Sequence, residues 1–176
     1  MIDGGSKNKN HVDEAAMEYL LSRYKINSII DLGCSTGATV RLAAKKGLAA
    51  IGVDGDRAMR KYWTGGLCSL HDFCKPWELR HRIWDLVWCV EFFEHLAVGE
   101  LKNAMDVMSG CHYAVVTSST VICRYHQNIQ EPLYWQGVMA AVGMELDKEA
   151  TSEIREVSSM SKNFMRTQGQ VFRRVT

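Results

Sequence analysis

Ile26-Asn27-Ser28-Ile29-Ile30-Asp31-Leu32-Gly33-Cys34-Ser35-Thr36-Gly37 is the stretch on which the reading of the fold turns. It opens as a short apolar run, Ile26 to Ile30, and passes through Asp31-Leu32-Gly33 into small residues. A helical pattern follows over Thr36 to Lys46, stopped by Gly47. A buried strand, a tight glycine turn and a helix form the first unit of an open parallel sheet, with helix N-terminal amides facing any ligand in the turn. A dinucleotide turn would place glycines at 33, 35 and 38, where the chain has Gly33, Ser35 and Ala38. Glycines at 33, 35 and 37 behind an acidic residue fit better, through Asp31, Gly33 and Gly37. A tight strand–helix connection with no ligand is the plain alternative.

Outward from this turn, apolar runs and helical patterns alternate. A helix is expected over His11 to Lys25, strands over Ala49 to Val53, Cys68 to His71 and Trp84 to Val90, and a short helix over Arg57 to Trp63. Pro76 is expected to open a helical turn. Leu101, Ala104, Met105 and Met108 share one helical face, halted at Gly110, and Tyr113 to Thr117 forms a fifth strand. A helix through Trp135, Val138, Met139 and Val142, a strand over Met144 to Leu146, a helix over Ser152 to Arg166 and a strand over Gln170 to Val175 complete the pattern. Continuous apolar strands separated by helices predict a doubly wound α/β domain with a parallel sheet covered on both faces.

With 176 residues and roughly 150 per domain, one domain is expected, over residues 11–176 behind a flexible arm at 1–10. Twenty-one Lys+Arg against twenty Asp+Glu give a net charge of +1, without the basic excess of a protein that binds nucleic acid by neutralising phosphates. No apolar run is long enough to span a bilayer and no signal-peptide core is visible, so a cytoplasmic location is expected. The six cysteines include no CxxC pair and no grouping with His at zinc-ligand spacing, so they are expected reduced and no structural metal is expected.

In such a sheet, ligands sit beyond the carboxyl ends of the strands, so the residues that close each strand carry the chemistry. The second strand closes at Asp54, 21 positions after Gly33, where a carboxylate can accept from both ribose hydroxyls. The third leads to Asp72-Phe73, an acceptor for an exocyclic amine beside an aromatic ring. The fourth runs Trp84-Asp85-Leu86-Val87-Trp88-Cys89-Val90 into Glu91-Phe92-Phe93-Glu94-His95-Leu96.

These four segments, in this order, resemble the class I S-adenosylmethionine-dependent methyltransferases over Ile26 to Leu96 and less specifically to Val175. The likeness is greatest to small bacterial and phage-type members with a Glu-His-Leu element after the fourth strand. The resemblance implies a single-domain, Rossmann-like, seven-stranded mixed sheet of order 3-2-1-4-5-7-6, its last strand antiparallel. It also implies S-adenosyl-L-methionine as cofactor, with Asp31, Gly33, Cys34, Ser35 and Gly37 around the methionine moiety, Asp54 and Gly55 at the ribose, Asp72 and Phe73 at the adenine, and Cys89 and Val90 beneath the sulfonium. Ser35 departs from the glycine usual in the family's loop.

A nucleophile that must lose a proton before accepting a methyl group calls for a base, and histidine titrates in the right range. His95, Glu91 and His126 are the catalytic candidates, with Glu91 and His95 on one face if their segment is helical. Arg124 and Asn128 follow the fifth strand and are weaker ones. Tyr125, Tyr134 and Trp135 are candidates for an aromatic wall, and Arg173-Arg174 reads as a solvated basic pair. The expected function is methyl transfer to an O or N atom of a small-molecule or sugar-like acceptor. RNA or nucleotide methylation and a non-catalytic cofactor-fold binding module are the alternatives.

Overall fold

The computed structural model describes residues 12–77 and 82–175. The arm expected at residues 1–10 and most of the turn expected after Pro76 lie outside them. Seven strands form one sheet: β1 (Ser28–Leu32), β2 (Ala49–Asp54), β3 (Cys68–Leu70), β4 (Trp84–Val90), β5 (Cys111–Thr117), β6 (Met144–Leu146) and β7 (Gln170–Arg174). Their order is β3-β2-β1-β4-β5-β7-β6, with β1 to β5 parallel and β7 antiparallel to both β5 and β6. The expected architecture is therefore the observed one.

Helices α1 (Glu14–Arg23), α2 (Ala38–Lys45), α3 (Leu101–Met108), α4 (Pro132–Ala141), α5 (Lys148–Val157) and α6 (Phe164–Gln168) flank the sheet. Side chains alternate along a strand, so β4 feeds two cores. Leu86 and Trp88 join Met17 and Leu20 of α1, Ile154 of α5 and Met165 of α6 on one face. Val87 and Cys89 join Ala104 and Met108 of α3 and Trp135 and Met139 of α4 on the other. Trp84, Trp88, Trp135 and Phe93 are fully buried, and Trp135 stacks on Phe93 at 4.9 Å between ring centroids. Trp135 is thus a core residue and contributes nothing to an aromatic wall.

Two other expectations change. The helix expected over Ser152 to Arg166 is two helices, α5 and α6, with a break at Ser158 to Asn163. Buried Asp13 causes the break: besides capping α1 through Ala16 N at 3.1 Å, it accepts from Ser158 Oγ at 2.5 Å and Ser159 N at 2.8 Å. Those bonds draw Ser158 and Ser159 out of helical geometry, as Ser does wherever it can bond outside the helix. Arg174, read as solvated, instead donates to the carbonyls of Cys111 at 2.7 Å and Met108 at 2.8 Å, while Arg173 pairs with Glu145 across β6.

Two glycines at positive φ separate backbone strain from close approach. A Cβ at Gly33 (φ 76°) would stand 2.6 Å from Phe92 Cδ2, whereas one at Gly47 (φ 87°) would meet nothing within 4 Å. Gly47→Ala is expected to cost about 1 kcal/mol, the left-handed penalty alone. Gly33→Ala adds displacement of a buried ring and is expected to cost at least ~2 kcal/mol; urea unfolding of the two variants measures the difference.

Candidate active site

The parallel strands all end at one edge of the sheet, and β1 and β4, neighbours in space but not in sequence, part there to open a crevice. A cavity of about 960 Å³ occupies it. Asp31, Gly33, Cys34, Ser35, Asp54, Gly55, Asp72, Phe73, Val90, Glu91, His95 and His126 all line it, so the fold brings most of the expected site residues together.

The loop after β1 is built around Asp54. Gly33 N and Cys34 N both donate to the Val53 carbonyl, at 2.8 and 3.0 Å, turning the chain across the end of β2. Ser35 is forced to φ 47°, a left-handed conformation that costs a serine energy but not a glycine. It is held there by its own amide, which donates to Asp54 Oδ2 at 2.7 Å, and by its carbonyl, which accepts from Trp63 Nε1 at 2.8 Å. Asp56 N donates to the other Asp54 oxygen at 2.8 Å. Asp54 therefore lies fixed at the cavity floor with acceptor capacity remaining on both oxygens.

Gly37 and Cys89 are corrections to the expected lining. Gly37 (φ 76°) is the residue before α2, and a Cβ there would meet Cys68 Sγ at 2.6 Å, so its part is in the turn. Cys89 is fully buried and points into the core beneath α3, because the alternation along β4 sends Trp88 and Val90 toward the cavity and Cys89 to the opposite face. At the far end, Asp72 is exposed and accepts from Cys74 N at 3.1 Å, while Phe73 packs edge-on against Phe92 at 4.8 Å.

The segment after β4 is not helical at Glu91. That residue adopts φ 53°, followed by a single tight turn at Phe93–His95, so the expected four-residue helical relation between Glu91 and His95 does not form. Glu91 N and the Thr117 hydroxyl bond at 2.9 Å, and the hydroxyl donates back to Glu91 Oε1 at 2.9 Å. Glu94, which sequence reasoning passed over, is the centre of this region. Its carbonyl accepts from Gln127 N at 2.8 Å and Asn128 N at 3.1 Å, and its Oε1 accepts from Ser119 N at 3.0 Å. A carboxylate inside the apolar run Phe92-Phe93-Glu94-His95-Leu96 was the available signal. The loop after β5 is thereby clamped over the end of β4, bringing the rings of His95 and His126 to 4.9 Å. Arg124 is exposed, with its guanidinium against the Tyr125 ring, and Asn128 is buried beneath the loop.

Electrostatically the cavity is acidic: Asp31, Asp54, Asp56, Asp72, Glu91, Glu94 and Glu100 line it against Arg57 and Lys75. Burial raises the carboxyl pKa of Asp31, with the charge of Asp54 adding to it, and burial raises those of Asp54, Glu91 and Glu94. Burial lowers that of His95, which favours the neutral ring. Such a lining suits a cationic ligand and repels a pyrophosphate.

Residues 30–115 match a family model described as a methyltransferase domain. That match and the strand order give the chain the fold of the class I methyltransferases. No curated protein sequence matches the chain. Among solved structures, the chain is similar to a sugar N-methyltransferase from Streptoalloteichus, with 14% identity, 100% of this chain and 99% of that one covered and a TM-score of 0.65. An amino pentose methyltransferase from Micromonospora echinaspora shares 14% identity over 91% and 88% of the two chains at a TM-score of 0.62. A SAM-dependent methyltransferase from Archaeoglobus fulgidus shares 16% identity over 90% of each, at 0.60. At these identities the likeness is one of fold. No described helix is long and apolar enough to cross a membrane.

Asp31 sets a pH dependence. A carboxyl whose folded pKa lies above its unfolded value near 3.8 binds protons more tightly when folded, so its contribution to stability is present below that value and lost as pH rises through the folded pKa. Asp31→Asn removes this loss. The melting temperature of the variant relative to the wild type is expected to rise as the pH is raised above 4 and to level off once Asp31 is ionised, and a difference that stays constant with pH would refute the assignment.

Proposed function

We propose that the chain transfers a methyl group from S-adenosylmethionine to an oxygen or nitrogen atom of a small, sugar-like acceptor. The observation that carries this reading is the acid-lined cavity, which runs from the Gly33 turn to the His95–His126 pair. At about 960 Å³ it lies at the upper end of ligand-site volumes, with room for a cofactor and a small acceptor side by side.

The residues present fit the cofactor. Asp31 and Asp54 offer carboxyl oxygens that can accept from the ammonium and ribose of S-adenosylmethionine, and Gly33, where a Cβ would meet Phe92, leaves the turn's main chain free of side-chain bulk. The cofactor supplies an electrophilic methyl group on a sulfonium centre. Asp54 would hold both ribose hydroxyls, and Asp72 and Phe73 would flank the adenine. Val90 would line the wall beside the methyl group, and the aromatic residues around it keep water out. Because charge disperses as the methyl group moves, the protein's work is mainly alignment of the acceptor with the C–S bond. His95 and His126, on the acceptor side, stand where a proton or an acceptor hydroxyl would be handled.

The neighbours that act on sugars and an amino pentose support the acceptor class, as does the absence of a basic excess along the chain. Calorimetric titration tests the reading. S-adenosylmethionine and S-adenosylhomocysteine are expected to bind at micromolar concentration and NADH not at all. Asp54→Ala is expected to weaken the cofactor at least tenfold, about 1.4 kcal/mol, since one group supports two hydroxyls. Unchanged affinity in that variant would remove Asp54 from the ribose site. Methyl transfer to an amino sugar, set against transfer to an RNA oligonucleotide, then decides the acceptor class.

A further inference from the structure

We propose that Glu94, His95 and His126 form a binding site for a divalent transition-metal ion on the acceptor side of the cavity. A carboxylate oxygen of Glu94 and one ring nitrogen of each histidine lie within 4.8 Å of one another. Metal bonds to such atoms are about 2.0–2.2 Å, so small side-chain rotations would bring all three onto one ion.

The hydrogen bonds around the trio prepare it for a cation. His95 Nδ1 lies 3.2 Å from the Tyr125 carbonyl and His126 Nδ1 lies 2.7 Å from the Val121 carbonyl. A carbonyl can only accept, so in each neutral ring Nδ1 carries the proton and the lone pair is left on Nε2. That is the arrangement of metal-binding histidines, whose second nitrogen donates to a carbonyl that fixes the tautomer and the ring. Glu94 Oε1 is occupied by Ser119 N, but Oε2 is buried without a hydrogen-bond partner, on a residue only 1% exposed. The Glu91 carboxyl lies beside it and accepts from the Thr117 hydroxyl, adding a further oxygen close to the trio. A carboxylate oxygen buried this deeply without a hydrogen-bond partner is costly unless a proton or a cation meets it.

Two imidazole nitrogens and one carboxylate suit manganese, iron, cobalt or zinc better than the all-oxygen preference of magnesium or calcium. Three protein ligands leave coordination positions open toward the cavity, as catalytic rather than structural metal sites do. Glu94 and His95 come from the turn after β4 and His126 from the loop after β5, so the ion would join the two loops that frame the acceptor. If the methyltransferase reading holds, its open positions would take the acceptor's oxygen or nitrogen and lower the pKa of a bound hydroxyl. The two histidines would then hold the ion and not act as bases themselves.

The test uses the full chain, stripped with a chelator and titrated with Co²⁺ followed by its visible d–d absorption. One Co²⁺ per chain, displaced by Zn²⁺, is expected. His126→Ala and Glu94→Gln should each weaken it at least tenfold. His112→Ala, a histidine paired with Asp85 away from the cavity, should leave it unchanged. His126 is only partly buried, so its variant tests the site with little risk to folding, which circular dichroism checks. Absence of saturable binding, or binding indifferent to both cavity variants, overturns the proposal. Calorimetry with S-adenosylmethionine on the same stripped protein separates the two readings: cofactor binding without Co²⁺ binding sinks only the metal site, and Co²⁺ binding without cofactor binding sinks only the transferase reading.

Discussion

Four carboxylates gathered at one edge of a sheet, with few cations among them, are the constraint around which this molecule is organised. Asp31, Asp54, Glu91 and Glu94 close β1, β2 and β4 or follow directly from them, and burial weighs against charge on all four. The chain meets much of that cost with main-chain amides. Ser35 and Asp56 serve Asp54, and Ser119 serves Glu94. Each such bond also fixes a loop, so the electrostatic requirement and the shape of the cavity have one solution. The two cores beneath, centred on Trp88 on one face and Cys89 on the other, supply the burial that lets so polar an edge persist.

Two strained residues mark the same edge. Ser35 and Glu91 are the non-glycine residues at positive φ among the described residues, and each borders the cavity. In both the main-chain amide is spoken for, by Asp54 and by Thr117 respectively. The surrounding hydrogen bonds therefore hold a backbone shape that the side chains alone would not choose, a pattern typical of sites where ligand geometry matters.

Much of this was legible in the amino-acid order. Continuous apolar runs predicted the parallel strands, and β4 falls where it was expected because period and length suffice for a strand buried on both faces; β6, an edge strand with Glu145 exposed, also falls where it was expected. The spacing from Gly33 to Asp54 placed a carboxylate at the cavity floor. Local patterns failed where a distant residue decided the outcome. Asp13 breaks the helix at Ser158, the pleat turns Cys89 away from the cavity, and Arg174 finds carbonyls from two other elements. Glu94 escaped notice because its three acceptor bonds come from a loop some 25 to 34 positions further on. The grouping of His95 with His126 is tertiary in the same way: nothing in either segment points to the other.

The position of β7 has a consequence for how the chain is made. Residues 170–174 insert between β5 and β6, and both of those strands pair with β7 in the finished sheet. During synthesis β5 emerges more than fifty residues earlier, and until β7 arrives its outer edge presents unpaired amides and carbonyls beside apolar Val115 and Val116. The nascent chain thus carries an open, sticky border through the translation of α4, α5 and α6. A ribosome pausing in that interval would lengthen exposure of an edge that β7 covers in the native sheet.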